Sequence, residues 1–223
     1  NTTGEQNTAC GQASLYQNVG GNYNSAYGRE ALHTNTSGSN NTAVGRWALR
    51  ENTTASNNTA IGFEALRKTT TGADNVASGS YCLWSNTTGL QNTSSGRESL
   101  YHNTTGAYNS AFGYKALHNN TTANNNVATG YEALRSNTTA SYSNAIGYHA
   151  LYSNTTGVGN VANGYSALKA NTTAAYNVAV GYATLFTNTT GANNTALGRS
   201  ALYANTTAAN NTALGALTLE SNT

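Results

Sequence analysis

Asn58-Thr59-Ala60-Ile61-Gly62-Phe63-Glu64-Ala65-Leu66-Arg67 holds the two patterns that decide the fold of this chain. Asn58, Ala60 and Gly62 alternate with more variable residues, and Gly62, Ala65 and Leu66 then follow at intervals of three and one. Working outward, Gly recurs at 11, 28, 45, 62, 79, 96, 113, 130, 147, 164, 181, 198 and 215, seventeen apart each time, with Leu four residues after each, from Leu15 to Leu219. With this Gly as position 0, position −2 is Ala except for Ser94, and position −4 is Asn except for Ser143. Position +7 is Asn except for Thr69. The unit reads N-T-A-I-G-Y-E-A-L-Y-S-N-T-T-G-A-N, thirteen times in 223 residues. A fixed period in this range marks a solenoid or array.

The fixed positions −4, −2 and 0 have the period of a β-strand, with one face turned inward. The fixed positions 0, +3, +4 and +7 have the one-face spacing of a short helix. Asn-Thr-Thr-Gly/Ala then supplies turn chemistry. A five-residue strand covers about 16 Å and an eight-residue helical segment returns about 12 Å, so the path closes within one repeat. The prediction is a repeat solenoid with one 17-residue rung per repeat, each rung a parallel β-strand plus a short helical turn; an all-β parallel solenoid is the alternative. Residues 1–223 are expected to form a single solenoid of thirteen repeats, excerpted from a longer fibre. Its core ladder is read as the Gly and Leu columns, including Gly62, Leu66, Gly113, Leu117, Gly164 and Leu168, with the Ala columns and the residue at −1 beside them. Such an interior is thin, because one buried Leu contributes only about 2 kcal/mol per rung.

Composition points away from several classes. The chain has no Pro or Met, 8% charged residues and a net charge of +2, so it lacks the basic stripe that nucleic acid requires. No apolar run is long enough for membrane insertion. His33, His102, His118 and His149 occupy three different columns, which argues against a metal or catalytic site. Glu30, Glu64, Glu98 and Glu132 recur every second repeat, and Arg67 and Arg135 stand three residues after two of them, as surface ion pairs would. Cys10 and Cys82 lie in different columns four rungs apart and read as small apolar substitutes. We therefore expect no enzyme activity, no cofactor and no metal. Two aromatic columns stand out: Tyr114, Tyr131, Tyr148, Tyr165 and Tyr182 in one, and Tyr16, Trp84, Tyr101, Tyr152, Phe186 and Tyr203 in the other. These ladders can stack on one another, contact a second protomer or offer a sugar-binding stripe.

Asn58-Thr59-Ala60-Ile61-Gly62, Asn41-Thr42-Ala43-Val44-Gly45 and Asn109-Ser110-Ala111-Phe112-Gly113 resemble the N-S-V-A-I-G repeats of YadA-like heads in trimeric autotransporter adhesins. The wider unit is similar to N-T-A-I-G-x-x-A-L-x-x-N-T-T-G arrays of phage tail fibres and bacterial surface proteins. The resemblance implies a parallel solenoid, often trimeric, displayed outside the cell. The function expected is that of a structural subunit of an extracellular fibre or filament at the cell or virion surface, glycan-coated and self-associating. An adhesin or receptor-binding tail-fibre shaft is the alternative, and an ice-binding solenoid with Thr ranks is a third reading. Surface carbohydrate is a further candidate partner. Asn35, Asn52, Asn86, Asn103, Asn120, Asn137, Asn154, Asn171, Asn188 and Asn205 each begin an Asn-x-Ser/Thr sequon at the expected corner and are the candidate glycosylation sites, as is Asn1. Thr pairs at the same corner are candidates for O-linked sugar.

Overall fold

A computed structural model describes residues 2–222. The chain is a parallel β-solenoid with one rung per repeat, in two compact units, residues 1–109 and 110–223. The first unit holds β1 (Thr8–Cys10), β2 (Ser25–Tyr27), β3 (Thr42–Val44), β4 (Thr59–Ile61), β5 (Val76–Ser78) and β6 (Thr93–Ser95). The second holds β7 (Ser110–Phe112), β8 (Val127–Thr129), β9 (Asn144–Ile146), β10 (Val161–Asn163), β11 (Val178–Val180), β12 (Thr195–Leu197) and β13 (Thr212–Leu214). Within each unit the strands pair in parallel in chain order, and the register advances by one repeat, as in Thr42↔Thr59 and Val161↔Val178.

The strands are three residues long, shorter than the alternation from −4 to 0 suggests, because both ends are taken over by other bonding. At −4 the backbone N–H of Asn58 donates to the side-chain Oδ1 of Asn41 at 3.0 Å instead of to a carbonyl. At 0 the Gly leaves the strand region: Gly62 has φ +136°, and a Cβ built on it would lie 2.5 Å from the carbonyl oxygen of Gly79 in the next rung. That position needs Gly for its conformation and for the close approach of the rungs.

The predicted helical turn is not there; the described residues contain no helix. Two tight turns follow each Gly. In the fourth rung the N–H of Ala65 bonds to the carbonyl of Gly62 at 3.4 Å, and that of Thr69 to the carbonyl of Leu66 at 3.2 Å. Positions 0, +3, +4 and +7 are thus the ends of two consecutive four-residue turns, and that arrangement gives the same spacing as a helix face. Between the turn bonds, N–H groups point along the stack: Glu64 donates to Arg46 in the preceding rung and Leu66 to Cys82 in the next, both at 3.0 Å. This alternation requires left-handed residues, and Glu64 (φ 56°) and Leu66 (φ 50°) supply them. A non-Gly residue there costs roughly 1–2 kcal/mol, which full burial of the Leu about offsets.

Ala at −2 and +3 and Leu at +4 turn inward; Ala60, Ala65, Leu66, Leu117 and Leu168 are all fully buried. Gly62, Gly113 and Gly164 are half-buried and edge this interior rather than filling it. The residue at −1, expected to add to the core, faces outward: Val44, Ile61 and Phe112 are exposed. With −4 and −2 pointing in, the pleat sends −3 and −1 out.

Candidate functional site

The interior has two halves, one of Ala and Leu and one of amide. At +7, Asn35 Nδ2 donates to Asn18 Oδ1 of the preceding rung at 2.7 Å and to the carbonyl of Gly38 in its own rung at 2.9 Å. The pattern repeats in the second unit, where Asn171 donates to Asn154 Oδ1 at 2.8 Å and to the Ala174 carbonyl at 3.0 Å. A second ladder runs at −4: Asn58 Nδ2 donates to the Gly72 carbonyl at 3.0 Å while its Oδ1 accepts the Asn75 N–H at 2.9 Å. Both Asn columns thus meet at the carbonyl of position +10, which is Gly or Ala throughout. The signal available in the sequence was that −4 keeps Asn, a poor strand former, where −3 moves freely among Thr, Ser, Val and Asn.

This placement decides what the corner can do chemically. Asn35, Asn52, Asn86, Asn103, Asn120, Asn137, Asn154, Asn171, Asn188 and Asn205 are all 0% exposed. A sugar on Nδ2 would replace a ladder proton and has no room in this structure, so at these ten positions the amide ladder and an N-glycan exclude each other; Asn1 lies outside the described residues. Of the Thr pair, the first is used structurally: Thr138 Oγ1 donates to the Thr155 carbonyl at 3.1 Å, and Thr155 to Thr172 at 3.0 Å. The second, as at Thr122, Thr139, Thr156, Thr173 and Thr190, is exposed.

One substitution interrupts each of the +7, −4 and −2 columns. Thr69 replaces a ladder Asn and leaves Asn52 Oδ1 and its own Oγ1 buried without a partner. Ser143 leaves a long 3.4 Å contact from the Asn160 N–H to Ser143 Oγ where a ladder bond stands elsewhere. Ser94 is matched instead, since its hydroxyl lies 2.6 Å from that of Ser99, which in turn lies 3.3 Å from Cys82 Sγ. Burial pushes the Cys82 thiol up, and Cys10 is exposed.

The charged groups cluster on the turn side. Glu64 accepts from Arg67 at 2.8 Å and from Trp84 Nε1 at 2.7 Å, and Glu132 lies 3.3 Å from Arg135 and 3.1 Å from His149. The expected pairs between +2 and +5 therefore form, although two turns and not a helix bring them together. Arg50, 2.7 Å from Glu30, is the main cause holding that carboxyl at about 2, with Trp47 and Arg29 adding to it. The other histidines are dispersed: His33 stacks on Tyr16, His102 abuts Tyr101 edge-on, and His118 bonds Asn119. Among the described residues no group of three or more His, Cys, Asp or Glu is placed to hold a metal ion.

The outer aromatics do stack. In the second unit Tyr131, Tyr148, Tyr165 and Tyr182 follow at centroid spacings of 5.2, 5.1 and 5.1 Å with planes within 12° of parallel, and Tyr114 begins the column. Trp84–Tyr101 and Phe186–Tyr203 stack likewise in the second column. Because each inner ring turns its faces to its neighbours, the column shows ring edges outward, which disfavours a stripe on which sugar rings would lie flat. Compared with known proteins, the chain matches no family model, no curated protein and no solved structure at a significant level.

Proposed function

We propose that this chain is a structural segment of an extracellular, self-associating fibre. The observation that carries the reading is the interior: within each unit, the amide ladders, Leu columns and backbone bonds of one rung are completed by its neighbours, so the inward residues encode stacking. The polar, sparsely charged exterior and the resemblance to repeat arrays of surface fibres support placement at the cell or virion surface. Electron microscopy of the purified chain over a concentration series is the test, combined with protease shaving of intact source cells or particles. Fibres or bundles released by shaving are expected; dispersed monomers at every concentration, or a protease-resistant internal pool, would overturn the reading.

A second reading rests on the exposed Thr rank at +9. A repeated methyl-plus-hydroxyl surface can order water, and ice binding would appear as thermal hysteresis. That measurement separates the two readings.

A further inference from the structure

The second unit holds two further tyrosines outside the stacked columns, both at −5 and two rungs apart. Tyr142 and Tyr176 are 70% and 63% exposed, more than any ring of the stacked column, and among the described residues neither meets another ring. Both lie in the left-handed region, with φ of 64° and 58°, held there by N–H bonds to the carbonyls of Asn124 and Val158. Asn125 and Asn193 fill the same column, and Asn accepts that conformation with less strain than a bulky aromatic. Leu66 offsets the same strain by burial, but the two tyrosines gain neither burial nor a stacked neighbour. Strain without such compensation collects at ligand-binding positions. Gly159 stands between them, and the edge of the Tyr176 ring lies over it: a Cβ built there would come 2.8 Å from Tyr176 Cδ1. The missing side chain at 159 is what seats that ring.

We infer that Tyr142 and Tyr176 bind a neutral glycan, an extended β-1,4-linked chain lying along the stack. The surroundings select the chemistry. Lys115, Glu132, Arg135, Lys169, Arg199 and Glu220 are the charged residues of this unit, and all stand at +1, +2 or +5 on the turn side. Positions +9, +11, −5, −3 and −1 carry no charge in any of its rungs, so a polyanion or polycation finds no counter-charge on this side. Free ring faces suit the C–H faces of pyranose rings, because the aromatic face is the negative pole of the ring quadrupole. Hydroxyl partners are supplied beside them: Thr139, Thr156 and Thr173, each three residues before a −5 position, are exposed in successive rungs. The spacing fits as well. Two rungs advance about 9.6 Å, close to one disaccharide of an extended β-1,4-linked chain, in which every second sugar presents the same face. This inference goes beyond the fibre reading and does not depend on it.

Saturation-transfer NMR titrations of the full chain test this, with cellohexaose, chitohexaose and β-1,4-mannohexaose as neutral probes and hexagalacturonate as the anionic one. The wild type should bind at least one neutral hexasaccharide and bind hexagalacturonate more weakly. The paired variant Tyr142→Asn/Tyr176→Asn, which places in the column a residue it already holds at Asn125 and Asn193, should weaken binding at least tenfold with an unchanged circular dichroism spectrum. Tyr182→Asn, in the stacked column on the turn side, should bind like the wild type. Equal binding by the paired variant and the wild type, preference for hexagalacturonate, or no binding of any of the three neutral hexasaccharides would overturn the inference. None of these outcomes bears on fibre formation, which electron microscopy reads separately.

Discussion

At the scale of single residues, the two Asn columns account for much that a thin apolar core cannot. A buried amide left without a partner costs about 1–3 kcal/mol, so a ladder is stable only while it is unbroken. Thr69 is the break in the first unit, where it orphans Asn52 Oδ1. Thr69→Asn restores a donor toward Asn52 Oδ1 and the Gly72 carbonyl and should stabilise the chain by about 1 kcal/mol, raising Tm by roughly 2–4 °C. A melt no higher than wild type would show that the gap is already satisfied in solution. The Leu column gives the complementary test. Leu117→Asp puts a carboxylate among fully buried neighbours and should cost several kcal/mol, while Tyr182→Asp, at a residue 56% exposed on the outer face, should cost about 1 kcal/mol through the lost ring stack. Denaturant titrations showing equal losses would reverse the assignment of inside and outside.

At the scale of the rung, the bonds between neighbours recur with the 17-residue period, so a whole repeat is the natural unit of change. Deleting residues 137–153, from one ladder Asn to the residue before the next, should leave the circular dichroism spectrum and cooperative melting intact. Deleting eight residues from the same place should abolish both, because the Leu and Asn columns fall out of register. Equal outcomes for the two deletions would refute a rung of 17 residues. How far this rung was legible in the sequence follows from what each column reports. The period, the strand and the inward Ala and Leu are visible because burial keeps Leu in every copy and a small residue, mostly Ala, in the Ala columns. The second half was misread because two successive turns place fixed residues at 0, +3, +4 and +7, as a helix does; what separates them is the left-handed conformation of Glu64 and Leu66, which neither residue type favours and which only the bonds to adjacent rungs select. The Asn corner carries two readings for a related reason. A sequon and a buried amide ladder use the same letter, and only the position of Nδ2 against the carbonyl of position +10 tells them apart.

At the scale of the whole molecule, the burial of the ladder Asn predicts that peptide mapping of the purified chain finds no sugar at Asn86 or Asn171. The same interior sets the response to acid. Its columns are amides, Ala and Leu, which do not titrate, and the chain has only 8 Asp and Glu residues, so few protons link folding to pH. The Glu30 carboxyl is held down to about 2 from 4.5, first by Arg50 and then by Trp47 and Arg29. A folded-state value below the unfolded one means that this group's contribution is fully present above about 4.5 and is lost as pH falls toward about 2. Thermal melts from pH 8 to pH 2 should therefore be nearly flat down to about 4.5 and then decline. Glu30→Gln should lower Tm at neutral pH, where the ion pair with Arg50 is lost, and should make the decline below 4.5 shallower. A steep loss of stability between pH 7 and pH 5 would show that titrating groups, rather than uncharged ladders, hold the rungs together.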